Sequence, residues 1–328
     1  MRRRDIHPHL KTLIKLIVAA VILVVIVRSG HLDLKVLTSL FTSWQSASVL
    51  LVLAALNFLL LTIRWFDLVN CTLSELSFFR SVKLNLIANF FNFVFPSSIG
   101  GDLVRGYYLA QDMHSQKMKA ALSVVLDRVI GLYSLISLSA VTLLYLSFQK
   151  DVESLRVLTG STLLLFLGYS FFLFLIISGI GKRIAKMITW SVLQKPLNFL
   201  LSCHDYLQES MRNVPLFLRT FFAGIFSQLV VAVFFFQVGQ YIGEPQVNFL
   251  DVLSVIPLGF LVMSVPIAPA GIGVGQVAFL FLIKQVTGVS SQFGPTAISA
   301  FQVALLIWSL FGGWFYLTLR KPKELLEE

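Results

Sequence analysis

An aspartate and an arginine three positions apart, Asp102 and Arg105, follow a proline, two serines and a glycine pair in the stretch NFFNFVFPSSIGGDLVRGYY, residues 89–108. Pro96 ends a helix by removing a backbone donor, Ser97 and Ser98 offer hydroxyls, and Gly100 and Gly101 let the backbone come close to a ligand or to another helix. Asp102 suits the N-cap of a helix that continues through Leu103. Such an N-terminus presents free N–H groups and the positive end of the helix dipole, and Arg105 on its first turn adds a guanidinium able to grip phosphate oxygens. The chemistry expected here is binding of an anionic headgroup. The alternative is structural, with the glycines serving close helix packing and Asp102 capping while paired to Arg105.

Two more clusters bear on the same chemistry. Asp127 and Arg128 lie early in a long apolar run, where a charge costs roughly 2.5 to 3.5 kcal/mol on insertion scales and therefore turns inward and pairs. That pair serves either structure or a polar pathway. The stretch PIAPAGIGVGQ, residues 266–276, sets Pro269, Gly271, Gly273 and Gln276 inside a second apolar region. It is not a dinucleotide fingerprint, which needs a strand before it, and tight packing through small residues is as good an explanation as binding. Asn85, Asn89 and Asn92 recur at intervals of four and three, so they share one helix face leading into the first break. Asn57 and Gln228 are further candidates for lining a polar path.

The elements that must position these residues are membrane helices. The chain has 328 residues, 57% of them hydrophobic, 13% charged and 30 of them Phe, with mean hydropathy +0.84. Apolar runs at 13–27, 49–63, 122–146, 158–177, 216–241 and 297–319 read as six full spans. Runs at 84–95 and 252–265 end instead in the Pro/Gly breaks. Irregular backbone at membrane depth is tolerated only where protein or a water-filled cavity surrounds it, which marks both breaks as site candidates.

Lys and Arg concentrate at 2–15, 64–83, 105–119, 182–219 and 320–323. By the positive-inside rule both termini are then cytoplasmic, in the inner membrane of the cell. The count closes when each broken segment dips in and returns, giving two re-entrant hairpins of opposite sense in an inverted-repeat arrangement with a site near the midplane. Eight complete spans also leave both termini inside, but place Arg105, Lys117 and Lys119 at the outer side. The fold class expected is thus an all-α polytopic membrane protein of about eight segments, a single integral domain over 1–328. Its first half is 1–179 with a break at 96–102, and its second is 214–320 with a break at 266–276. Between them, 180–213 reads as an amphipathic cytoplasmic segment, either in the headgroup layer or packed on the bundle.

Several chemistries lack their residues. The five histidines have no metal-ligand spacing, no Ser–His–acid set lies in the spans, and no Walker loop is present. The two cysteines, Cys71 and Cys203, fall in cytoplasmic regions and support neither a disulfide nor a metal site. No cofactor is expected, and the net charge of +10 is accounted for by loops facing anionic lipid without invoking nucleic acid.

Asn92 with FPSSIGGDLVRGYYL, SVVLDRVIGLYSL at 123–135 and PIAPAGIGVGQ together resemble, in order and over nearly the whole chain, the flippase-like family typified by the transmembrane region of lysylphosphatidylglycerol synthase. The resemblance implies about eight membrane segments and the translocation or handling of lipids, either anionic phospholipids or polyprenyl-phosphate-linked lipids. By position it carries site roles to Pro96, Gly101, Asp102, Arg105, Asp127, Arg128, Pro269, Gly271 and Gly273. Two departures stand out: Gln276 where the third motif often has Glu, and Asp102 where many members have Glu. With the sequence ending at Glu328 just after the last span and no aminoacyl transferase domain following, synthesis of the lysyl-lipid is not expected. A lipid translocase is the leading expectation, ahead of an intramembrane headgroup or glycosyl transferase and of a structural partner that recruits a lipid-modifying enzyme.

Overall fold

Apolar runs of this length, nearly free of interior proline and charge, form helices because only a helix satisfies every backbone donor and acceptor within its own segment. The computed structural model describes residues 34–73, 76–95, 99–113, 116–180, 194–244, 248–289 and 291–318, and all regular structure in them is helical. The helices are α1 (Leu34–Thr42), α2 (Trp44–Leu73), α3 (Phe78–Val94), α4 (Gly100–Asp112), α5 (Lys117–Gln149), α6 (Glu153–Ser178), α7 (Gln194–Arg212), α8 (Val214–Tyr241), α9 (Phe249–Met263), α10 (Val274–Thr287) and α11 (Phe293–Thr318), with one 3₁₀ turn, Pro269–Gly271. The expected first span, 13–27, and the basic stretch 181–193 lie outside the described residues. Five of the six expected spans correspond to α2, α5, α6, α8 and α11, each long and apolar enough to cross a bilayer.

The two broken segments fold back on themselves. Helix α3 has 17 residues and α4 has 13, about 25 and 20 Å at 1.5 Å per residue, and each falls short of the roughly 30 Å hydrocarbon core. Arg80 on the first turn of α3 pairs with Asp112 at the end of α4 at 2.8 Å. The two outer ends therefore meet, and Gly101 at the start of α4 rests on Ala88 and Asn92 of α3. Helices α9 and α10 form the second hairpin in the same way, with Gly275 against Met263 and Gly259 against the Phe279 ring. Its returning limb, Pro269–Thr287, is by length and hydropathy a sixth candidate span, which the sequence expectation did not count. The α-helical part is 14 residues, about 21 Å, and the rest is the 3₁₀ turn at the break.

Helix α5 fixes the sense of each hairpin. Its N-terminal end follows the Arg80–Asp112 mouth of the first hairpin. At the other end of its 33 residues, about 50 Å away, Lys150 pairs with Asp251 on the first turn of α9 at 2.6 Å. Ser154 then donates to the carbonyl of Gln285 near the end of α10. The hairpins open toward opposite ends of α5, and their tips come together against α11. There Asn89 donates to the Leu305 carbonyl and Gln302 to the Ala270 carbonyl. Gly312 of α11 lets that helix lie on the α3 backbone, since a Cβ there would fall 2.0 Å from the Leu86 oxygen.

The main core gathers Phe234, Phe235, Phe279, Phe293 and Phe301 from α8, α10 and α11. Of the two expectations for the segment 180–213, the described part fits packing on the bundle. Tyr206 and Met211 of α7 are buried among Leu126, Ile130, Leu173 and Leu216, and Gln208 and Arg212 donate to the Ile177 carbonyl at the end of α6.

Candidate functional site

Where the hairpin tips meet α2, α5, α8 and α11 there is a cavity of about 340 Å³. One wall is charged, formed by Arg64, Asp102, Arg105, Asp127 and Arg128, with the amides Asn57, Asn85, Asn89, Asn92, Gln228 and Gln302 around it. The lining also includes the apolar side chains Phe58, Leu61, Leu132, Leu135, Phe260 and Phe301.

The charged groups form one continuous network. Asp127 accepts from Arg64 Nε at 2.7 Å on one oxygen and from Arg105 Nη2 at 3.1 Å on the other. Asp102 accepts from the same Arg105 nitrogen at 2.9 Å, and its second oxygen pairs with Arg128 Nε. Arg105 Nη1 donates to Asn85 Oδ1 at 2.8 Å, and the guanidinium stacks 4.6 Å from the centre of the buried Trp65 ring. Three guanidinium groups face two carboxylates, so the wall carries one positive charge in excess. Burying charges is costly, and here pairing together with hydrogen bonds to every carboxylate oxygen offsets much of the cost.

Several expectations for the first break change. Helix α4 starts at Gly100, with Ile99 at its N-cap position, so Asp102 sits inside the first turn and its side chain serves two arginines rather than capping. The Gly101 N–H is capped from α3, by Asn92 Oδ1 at 2.9 Å. Gly101 itself serves helix packing, because a Cβ there would lie 2.0 Å from the Ala88 carbonyl oxygen. Gly100 faces a separate aromatic groove with Phe91, Phe95, Tyr107, Tyr108 and Tyr316. Pro96, Ser97 and Ser98 lie outside the described residues.

At the second break, Ala270 and not the flanking motif residues lines the cavity. Pro269, Gly271 and Gly273 shape the turn behind it, and φ values of +69° at Gly271 and +85° at Gly273 call for glycine. Gln276 closes a knot of amides. Its Oε1 accepts from the Gly273 N–H at 2.7 Å, and its Nε2 donates to Ser299 Oγ and to Gln302 Oε1. Gln302 in turn holds the Ala270 carbonyl at 3.0 Å.

Of the residues singled out from sequence, the cavity thus brings together Asn57, Asn85, Asn89, Asn92, Asp102, Arg105, Asp127, Arg128 and Gln228. Arg64, which in the sequence reads as the first member of a basic loop cluster, is a cavity residue that the sequence analysis does not single out. Its signal was its spacing: seven residues after Asn57, it falls on the same face of α2.

Asp102 and Arg105, Asp127 and Arg128, and Ala270 come from the three motifs that carry the family resemblance, and the family model described as the lysylphosphatidylglycerol synthase TM region matches residues 12–313. The chain belongs to that family. No curated protein and no solved structure matches it. As a lysylphosphatidylglycerol synthase TM region, the chain is an integral membrane protein whose family is associated with membrane lipids.

Proposed function

We propose that this protein is a membrane lipid translocase. It would take a lipid with an anionic headgroup into the cavity between the two hairpin tips and expose it to alternate leaflets. The observation that carries the reading is the cluster of three arginines and two aspartates at the meeting point of two oppositely opening hairpins, in a cavity that is also lined by apolar side chains. A headgroup needs the charged cluster and acyl chains need the apolar lining. Opposed hairpins meeting at a central site are the geometry on which alternating access by rocking of two halves is built. The inner membrane, cytoplasmic termini and two-half organisation expected from the basic loops belong to the same proposal.

Headgroup or glycosyl transfer fits less well. A general base needs a carboxylate oxygen within reach of the acceptor hydroxyl, whereas each oxygen of Asp102 and Asp127 already accepts from a guanidinium.

The test is reconstitution of the full chain into liposomes containing fluorescent phosphatidylglycerol or a polyprenyl-phosphate lipid, with an impermeant quencher outside. Protein-dependent loss of the protected fraction, abolished in Arg105→Ala, is the expected result. No transbilayer movement of either lipid class would overturn the proposal.

A further inference from the structure

Arg64 is held so that half of its guanidinium is unused by the protein. Its Nε is fixed on Asp127 Oδ1 at 2.7 Å. Its terminal nitrogens lie against the bare Cα of Gly131 on α5, where a Cβ would stand 3.0 Å from Nη1 and 3.1 Å from Nη2. Gly224 of α8 closes the slot, its added Cβ falling 3.4 Å from Nη1 and 2.3 Å from Ser134 Oγ. Among the described residues neither Nη1 nor Nη2 donates a hydrogen bond, although the side chain is only 11% exposed and lines the cavity with Gly131. Arg105 is in the opposite condition, with both terminal nitrogens committed to Asn85, Asp102 and Asp127.

We propose that the Nη1–Nη2 edge of Arg64 is the anion-binding group of this cavity and that it takes a monoanionic phosphodiester headgroup. This rests on the lipid-handling reading above and names the ligand for it. A guanidinium edge with parallel N–H groups matches the two non-bridging oxygens of a phosphodiester. The two Arg64 nitrogens are not sealed in protein, so their N–H groups can be met by an acceptor that enters the cavity. The excess of one positive charge on the wall selects among headgroups. A monoanion neutralises it, a dianionic phosphate monoester leaves a buried negative charge, and a cationic aminoacylated headgroup adds a second positive one. Phe58, Leu61, Leu132 and Leu135 beside the fork make the ligand an amphiphile rather than free phosphate.

Binding to the full chain in detergent, read by native mass spectrometry, tests this with four probes: phosphatidylglycerol, lysylphosphatidylglycerol, phosphatidylcholine and sn-glycerol 3-phosphate. Phosphatidylglycerol is expected to be retained roughly tenfold or more over the others. Arg64→Lys keeps the charge and loses the fork. The double variant Arg64→Gln with Asp127→Asn removes the buried pair together, leaving the wall still one positive charge in excess. Both are expected to lose most of the phosphatidylglycerol retention, because the fork is gone while the wall's charge is unchanged. Gly131→Ala, which pushes the fork aside and leaves every charge in place, guards against variants that fail to fold and is expected to weaken binding in the same direction. Folded variants that bind phosphatidylglycerol like the parent overturn the proposal. Equal retention of lysylphosphatidylglycerol or of glycerol 3-phosphate, or no retention of any probe, overturns it too. Because the readout is binding, a protein that selects phosphatidylglycerol through Arg64 but does not move it refutes translocation and leaves this inference standing.

Discussion

Asp127 is the residue on which the charged wall depends, since it is the acceptor shared by Arg64 and Arg105 and is 5% exposed. Removing it leaves two buried guanidinium groups short of an acceptor, a change that in buried pairs costs about 3 to 5 kcal/mol. Asp127→Ala is therefore expected to lower the thermal midpoint in detergent sharply. Arg156→Ala, which breaks an ion pair with Asp151 that is exposed on both sides, is expected to leave the midpoint where it was. A midpoint unmoved by Asp127→Ala would mean the network is not formed in the folded protein. Gly101 makes a second residue-scale case. A methyl at Gly101 meets a backbone oxygen that cannot step aside, whereas Gly168 has nothing within 4 Å of an added Cβ. Gly101→Ala is expected to open the first hairpin and reduce the yield of folded protein. Gly168→Ala is expected to be neutral or to gain up to about 1 kcal/mol from helix propensity.

At the scale of elements, the second break is tied to α11 by amides whose donors and acceptors alternate from Gly273 through Gln276 and Gln302 to Ala270. A glutamate at 276, the residue the family motif often carries, would have no N–H to give Gln302 Oε1. If Gln302 turned its amide to compensate, the bond to the Ala270 carbonyl would be lost. Gln276→Glu alone is therefore expected to destabilise the protein by about 1 to 3 kcal/mol, the cost of a buried polar group left unpaired, and chemical denaturation monitored by fluorescence would read it. The spans were legible in the sequence because length and hydropathy alone decide them. Both breaks were legible because proline and paired glycines have few uses inside an apolar chain. What the sequence did not carry was the direction of side chains between helices. Asp102 looked like a cap since nothing local reveals that Asn92, nine residues earlier, would take the Gly101 N–H. Arg64 looked like a loop charge since its partner Asp127 is 63 residues away.

Across the whole molecule, the arrangement of the two mouths separates two topologies that the apolar pattern leaves equal. If α3 and α4 form a re-entrant hairpin, as the Arg80–Asp112 pair at their outer ends requires, then residues flanking that mouth share one side of the membrane. Residues at the mouth of α9 and α10, beyond the Lys150–Asp251 pair, belong to the other side. Eight complete spans would instead put the start of α3 and the start of α5 on opposite sides. Single cysteines placed at the exposed positions Phe79, Met118 and Val289, in a background with Cys71 and Cys203 replaced by Ser, distinguish the two when probed with an impermeant maleimide in sealed right-side-out and inside-out vesicles. Phe79→Cys and Met118→Cys are expected to label together, from the cytoplasmic side that the basic residues at 64–83 and 105–119 mark, and Val289→Cys from the opposite side. Labelling of Phe79→Cys and Met118→Cys from different sides would remove the opposed hairpins. With them would go the geometric basis for placing a headgroup site between two oppositely opening hairpin tips.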